Sequence, residues 1–127
     1  MPKDFNRADR VADSVQRSLA QMIPQEIRDP RLGMVNINTV EVTKDLSYAK
    51  VYVTYVGQED AAACKVSTGI LNGAANHLRT RLSREVSLRI TPRLQFIYDE
   101  SSVRSQALRQ LIDRAVAADT AKHREQD

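Results

Sequence analysis

Apolar residues recur three and four apart between residues 6 and 27: Val11, Val15, Leu19, Met22 and Ile23, with Ala8 and Ala12 beside them. That period predicts an amphipathic helix. Asn6 is placed to cap it, and Asp9 falls in its first turn, where the helix dipole favours an acid. Pro24 removes one amide donor, which predicts a kink or an early end. Pro30 and Gly33 make residues 27–33 a turn-rich connector.

Two strands follow. Residues 34–43 carry Val35, Ile37, Val40 and Val42, and the apolar phase slips near Thr39, which predicts a bulge. Residues 47–56 alternate: Ala49, Val51, Val53 and Tyr55 share one face, and Tyr48, Lys50, Tyr52 and Thr54 share the other. Residues 43–47 are short enough for a hairpin loop.

The polar run 57–60 starts the next helix, its acids suited to the dipole. To about Ala75 that helix carries Val66, Ile70, Leu71 and Ala74. Gly69 and Gly73 leave one face nearly bare, so another element can approach closely. A further helix, from about His77 to Val86, buries Leu78, Leu82 and Val86. Asn76 lies between the two, and Asn tolerates the left-handed conformation that a break can require. Pro92 precedes a third strand, Leu94 to Tyr98, and a last helix, Ser102 to Val116, spaces Leu108, Leu111, Ile112 and Ala115. The order α-β-β-α-α-β-α implies an α+β domain, with helices on one sheet face and the other face open.

At 127 residues with 42% hydrophobic content, the chain has enough for one core. No stretch approaches a membrane span. The single Cys64 cannot form an internal disulfide, and among alanines it reads as a small buried thiol rather than a nucleophile. One cysteine and no secretory signal place the expected location in the cytoplasm.

Charge changes the picture most. Between Asn76 and Arg93 stand five arginines and one acid, Glu85, whereas the whole chain is only +3. So local a surplus suggests a polyanion partner, most often nucleic acid. Its plain alternative is a solvated helix face. At about 100° per residue, Arg84 points opposite Leu78, Leu82 and Val86, and Arg81 lies at the side. Arg79 lies near the apolar edge and can lay its stem on the core. Arg89 alternates outward between Leu88 and Ile90, and Arg93 follows Pro92 in a connector. Arg10 and Arg17, two turns apart on the wet face of the first helix, and Lys50 on the open sheet face complete the candidate RNA-binding set. Tyr52, beside Lys50 and Thr54, can stack on a base or pack across strands.

Enzymatic constellations are not apparent. His123 lies in the tail, and His77 starts a helix with no ligand partner at metal spacing. There is no P-loop, dinucleotide fingerprint or nucleophile elbow. Asp99 and Glu100 read as helix-start acids rather than a catalytic pair. No catalytic residue, cofactor or metal is expected.

With these motifs in order, the chain resembles bacterial ribosome-binding factor A from Arg7 to about Ile112. The resemblance rests on residues 10–12, the connector 27–33 (Ile-Arg-Asp-Pro-Arg-Leu-Gly), Asp45 to Val53, Leu78 to Leu82, Leu88 to Phe96, and Tyr98, Asp99 and Ser101. It implies a KH-like fold of the second type, αββααβ. A helix-kink-helix replaces the Gly-x-x-Gly loop there, and the kink triplet is Ala74, Ala75 and Asn76, with Asn where the family usually has Gly. It divides the chain into an arm at 1–5, an RNA-binding domain at 6–101, a C-terminal helix at 102–118 and a tail at 119–127. It further implies a monomeric ribosome-assembly factor that binds the immature small subunit and its ribosomal RNA. That factor would assist late maturation and precursor RNA processing without catalysis, and matter for growth in the cold. The alternatives are a generic single-stranded RNA binder, which would want more exposed aromatics or a Gly-x-x-Gly loop, and a protein-interaction module, which would want a broader apolar face.

Overall fold

The computed structural model describes residues 6–101 and 108–118. The elements are α1 (Arg7–Glu26), β1 (Val35–Val42), β2 (Tyr48–Tyr55), α2 (Ala61–Gly73), α3 (Ala75–Glu85) and β3 (Arg93–Tyr98). Residues 108–118 form a further helix. The expected arm at 1–5, the expected start of the last helix at 102–107 and the expected tail from 119 lie outside the described residues.

Capping explains where α1 begins. Asn6 Oδ1 accepts from the Asp9 amide at 2.9 Å, and Asp9 Oδ2 accepts from the Asn6 amide at 3.3 Å, a reciprocal capping box. The early end expected at Pro24 does not occur: Pro24 lies inside α1, which runs on to Glu26. The proline leaves the Ala20 carbonyl without its usual donor, but Ala20 is exposed and water can serve it.

The three strands order as β1-β2-β3, with β1 antiparallel to β2 and β2 parallel to β3. The bulge expected near Thr39 is present: the register skips between Ile37 and Thr39. Its extra residue, Asn38, ties the sheet together, accepting from Thr54 Oγ1 and donating to Asp99 Oδ2. Gln16 of α1 bonds the Ile37 carbonyl beside it at 3.1 Å.

Ala49, Val51 and Val53 of β2 are fully buried, with Leu94 and Phe96 of β3 beside them. Val15, Leu19, Leu78 and Leu82 cover them from the helices. Each such leucine contributes about 1.5–3 kcal/mol by burial. The opposite sheet face carries Tyr48, Lys50, Arg93 and Gln95, all exposed.

In α2 the buried face is Cys64, Ser67 and Leu71, whereas Val66, expected inside, is 48% exposed. The polar Ser67 masked this phase. It is tolerated in the core because its hydroxyl donates to the Arg31 carbonyl. No element among the described residues uses the bare face of Gly69 and Gly73: both are exposed, and a Cβ at either would meet nothing within 4 Å. The acids at 59–60 precede the first turn of α2 instead of occupying it, and Asp60 makes no side-chain cap. Asn72, also on α2, pairs with both backbone groups of Phe96, accepting from its amide at 2.8 Å and donating to its carbonyl at 3.0 Å.

The β1–β2 hairpin holds the one non-glycine residue of positive φ among the described residues, Leu46 at 63°. Its side chain is buried at 6% exposure. Asp45 organises the turn, with one oxygen accepting from the Thr43 and Ser47 hydroxyls at 2.7 Å each and from the Ser47 amide at 3.1 Å. These bonds hold its carboxyl down at about 2.

Candidate nucleic-acid interface

The arginines that cluster in the sequence do not share one setting in the fold. Arg79 is half-buried and turned inward. Its Nε and Nη2 donate to the Thr91 carbonyl at 3.1 and 3.0 Å. This fork fastens the connector between α3 and β3 to the helix, just ahead of the buried Pro92. Arg79 therefore builds the surface more than it faces a ligand.

Arg81 lies between two carboxylates, Glu85 Oε1 at 3.0 Å and Glu26 Oε1 at 3.5 Å. Glu26 also meets His77 Nε2 at 2.8 Å. The hydrogen bond from His77, then the Arg81 charge, lower the pKa of the Glu26 carboxyl. Here the end of α1 is linked to α3, and the Arg81 guanidinium already has carboxylate partners within the protein. Glu26 was missed by reasoning from the arginine stretch alone, because it lies 55 positions before Arg81 in the chain.

Arg84 is the helical arginine that remains available. It is exposed in the last turn of α3, opposite the buried Leu78 and Leu82, and among the described residues it makes no ion pair. Arg89 is exposed and likewise unpaired in the connector. On α1, Arg10 is exposed without a partner, while Arg17 pairs with Asp13 at 3.0 Å. Such an exposed pair contributes little to stability and yields readily to a phosphate. Between α1 and the end of α3 runs an open groove, about 340 Å³, lined by Ser14, Arg17, Ser18, Gln21, Val86 and Ser87, with one acid, Glu85, which Arg81 engages. Guanidinium and hydroxyl donors of this kind suit a phosphodiester backbone, which they position without reading its sequence.

Arg93 stands elsewhere. It is the first residue of β3 instead of part of the connector, and its amide bonds the Ser47 carbonyl at 2.9 Å. Its exposed side chain shares the uncovered sheet face with Tyr48 and Lys50. Tyr52 is half-buried there, and its hydroxyl reaches Glu41 Oε2 at 3.4 Å. Burial first, and the Glu41 charge second, raise its pKa.

The break between α2 and α3 is real, but it sits at Ala74, not at Asn76. Ala74 caps both helices at φ −96° and ψ 3°. Its amide bonds back to the Ile70 and Leu71 carbonyls at 3.1 Å each, a tightened last turn, and its carbonyl accepts from Leu78 at 2.9 Å. Asn76 lies inside the first turn of α3 and has no positive φ. An alanine in this bridge region needs no left-handed residue to turn the chain.

The sequence family described as ribosome-binding factor A matches residues 7–112. The chain is 58% identical to ribosome-binding factor A of Cellvibrio japonicus over 119 residues, covering 94% of this chain and 88% of that one. It is 55% identical to that of Teredinibacter turnerae, covering 98% and 95%. The crystal structure of ribosome-binding factor A from Thermus thermophilus superposes with a TM-score of 0.62 at 30% identity, over 73% of this chain and 97% of that one. A second Thermus thermophilus structure, a homology model of ribosome binding factor A fitted into a cryo-EM map of its complex with the 30S particle, gives 0.61 at 32% identity, over 76% and 98%.

Proposed function

The chain belongs to the ribosome-binding factor A family, and on that premise we propose that it binds the immature small ribosomal subunit through its ribosomal RNA and assists late maturation without catalysis. One observation carries the reading to this chain's own residues. Arg84, Arg89 and Arg10 are exposed cations without protein partners among the described residues, Arg84 and Arg10 on helices packed over a buried core and Arg89 in the connector that the Arg79 fork fastens. The relative fitted into the 30S complex supports the same partner.

Binding by such a surface is selection. A rigid array of donors favours the RNA conformation whose phosphates match it and shifts the folding subunit towards that form. Processing of the precursor RNA then follows from the conformation held, and the need would be greatest in the cold, where misfolded RNA escapes slowly. The protein acts as a monomer in the cytoplasm on this reading. The test is co-sedimentation with purified small subunits, large subunits and free RNA across a salt series. We expect binding to small subunits that weakens steeply with salt, as counterions released from phosphates are recaptured. Equal retention on large subunits, or no retention on small ones, would reject it.

A further inference from the structure

The uncovered sheet face differs in chemistry from the helical side. Tyr48 and Arg93 are direct register partners on β2 and β3, and Lys50 and Gln95 are the next pair on that face. Paired strands lie about 4.8 Å apart, so Tyr48 and Arg93 leave the sheet from neighbouring positions on the same face. Tyr48 is 40% exposed, and among the described residues it makes no ring contact and its hydroxyl makes no hydrogen bond. Arg93 and Lys50 are exposed and without ion-pair partners among the described residues. Two acids lie near. Glu41 faces Lys50 and accepts from Tyr52, and Asp45 is occupied by the hairpin's own donors. The cationic, aromatic end of the face is therefore the Tyr48–Arg93 end.

We propose that this end of the sheet is a second RNA contact, in which one unpaired base stacks on Tyr48 while Arg93 and Lys50 hold the adjoining phosphates. An aromatic ring beside a guanidinium is the composition that single-stranded nucleic acid uses, because every base has a π-face and every linkage an anion. Gln95 adds an amide that both donates and accepts, within reach of a base edge. This site rests on the ribosomal reading above but uses different residues, so the two can fail separately. It adds the substrate class: a single-stranded segment, engaged on the face opposite α1 and α3.

The test uses the full chain and an RNA of about ten nucleotides carrying one 2-aminopurine, a length matched to one stacking platform. Binding to wild type should quench the 2-aminopurine emission. Tyr48→Ala should weaken binding roughly tenfold and abolish the quench, Tyr48→Phe should retain both, and Arg93→Gln should weaken binding but keep the quench. Circular dichroism and thermal melts on each variant exclude unfolding as the cause. Wild-type affinity and quench for a folded Tyr48→Ala would overturn the site. If Tyr48→Ala lost small-subunit binding but kept the oligonucleotide, the face would meet a ribosomal protein, which also overturns it. If Arg84→Glu lost small subunits while Tyr48→Ala lost neither, the ribosomal reading would stand and the stacking site fall. Loss of the oligonucleotide with Tyr48→Ala, in a protein that never binds small subunits, would uphold the stacking site and reject the ribosomal reading.

Discussion

The Arg79 guanidinium forks onto a single acceptor, the Thr91 carbonyl, with both bonds near 3 Å. It thereby sets the path of the chain from α3 into β3. Arg79→Ala should lower stability by about 1–2 kcal/mol, the value of a charge-assisted bond that water partly replaces. Lysine, with a point charge in place of the fork, should recover only part of it. Urea titration measures both, and an unchanged midpoint for Arg79→Ala would show that the fork fixes nothing.

Arg81 and Arg84 should separate on substitution. Arg81→Glu would set a third carboxylate beside those of Glu26 and Glu85, and should cost on the order of 1 kcal/mol of stability. Arg84→Gln should leave stability within about 0.5 kcal/mol. It should also make the salt dependence of small-subunit binding shallower by roughly 0.7–0.9 in log–log slope, one phosphate contact. A slope unchanged by Arg84→Gln, with Arg81→Gln lowering it instead, would reverse the assignment.

Asp29 and Asp45 predict an acid limb of stability. Hydrogen bonds from the Arg31 side chain and then its amide hold the Asp29 carboxyl at about 2, and the hairpin hydroxyls and the Ser47 amide do the same for Asp45. Both folded values lie below the ordinary 3.8. Their stabilisation is thus fully present above that value and is lost as pH falls through it towards 2. Asp45→Asn should flatten the dependence of the melting temperature on pH between about 4 and 2. A variant with the wild-type slope there would show that Asp45 carries none of it.

At Leu46 two effects oppose. Glycine would relieve the left-handed backbone, roughly 1–2 kcal/mol, but would empty a buried leucine site, which costs about 2–5 kcal/mol. Burial should win, so Leu46→Gly should destabilise by roughly 1–3 kcal/mol. A more stable variant would mean that strain dominates this turn.

Because the break lies at Ala74, Asn76 should behave as an exposed residue of a helix's first turn. Asn76→Ala should be neutral or stabilising by a few tenths of a kcal/mol, and Asn76→Gly slightly destabilising. Thermal melts that rank glycine above alanine would restore the left-handed break expected from the sequence.

Periodicity made α1, the alternation of β2 and the Thr39 bulge readable, because each is a local pattern imposed by one buried face. The phase of α2 was not readable. Ser67 enters the core on the strength of a bond to Arg31, 36 positions away, and no window across α2 contains that partner. The arginine cluster misled for the same reason. The inward turn of Arg79 agrees with its place near the apolar edge, but proximity in the chain does not reveal that Glu26 engages Arg81 or that the turn into β3 carries Arg93 to the opposite face. The free charge of Arg84 was readable from its angle to Leu78 and Leu82 alone.

The amide of Asn72 has a consequence for how the protein behaves among copies of itself. β3 borders the sheet, and a bare border offers unpaired groups that can recruit a foreign strand and seed aggregation. Asn72 already fills both outward-facing groups at Phe96, so a newcomer would find the central rung taken and would have to expel an amide to continue the ladder. The helix thus guards the β3 border at its middle rung, with one side chain standing in for a fourth strand.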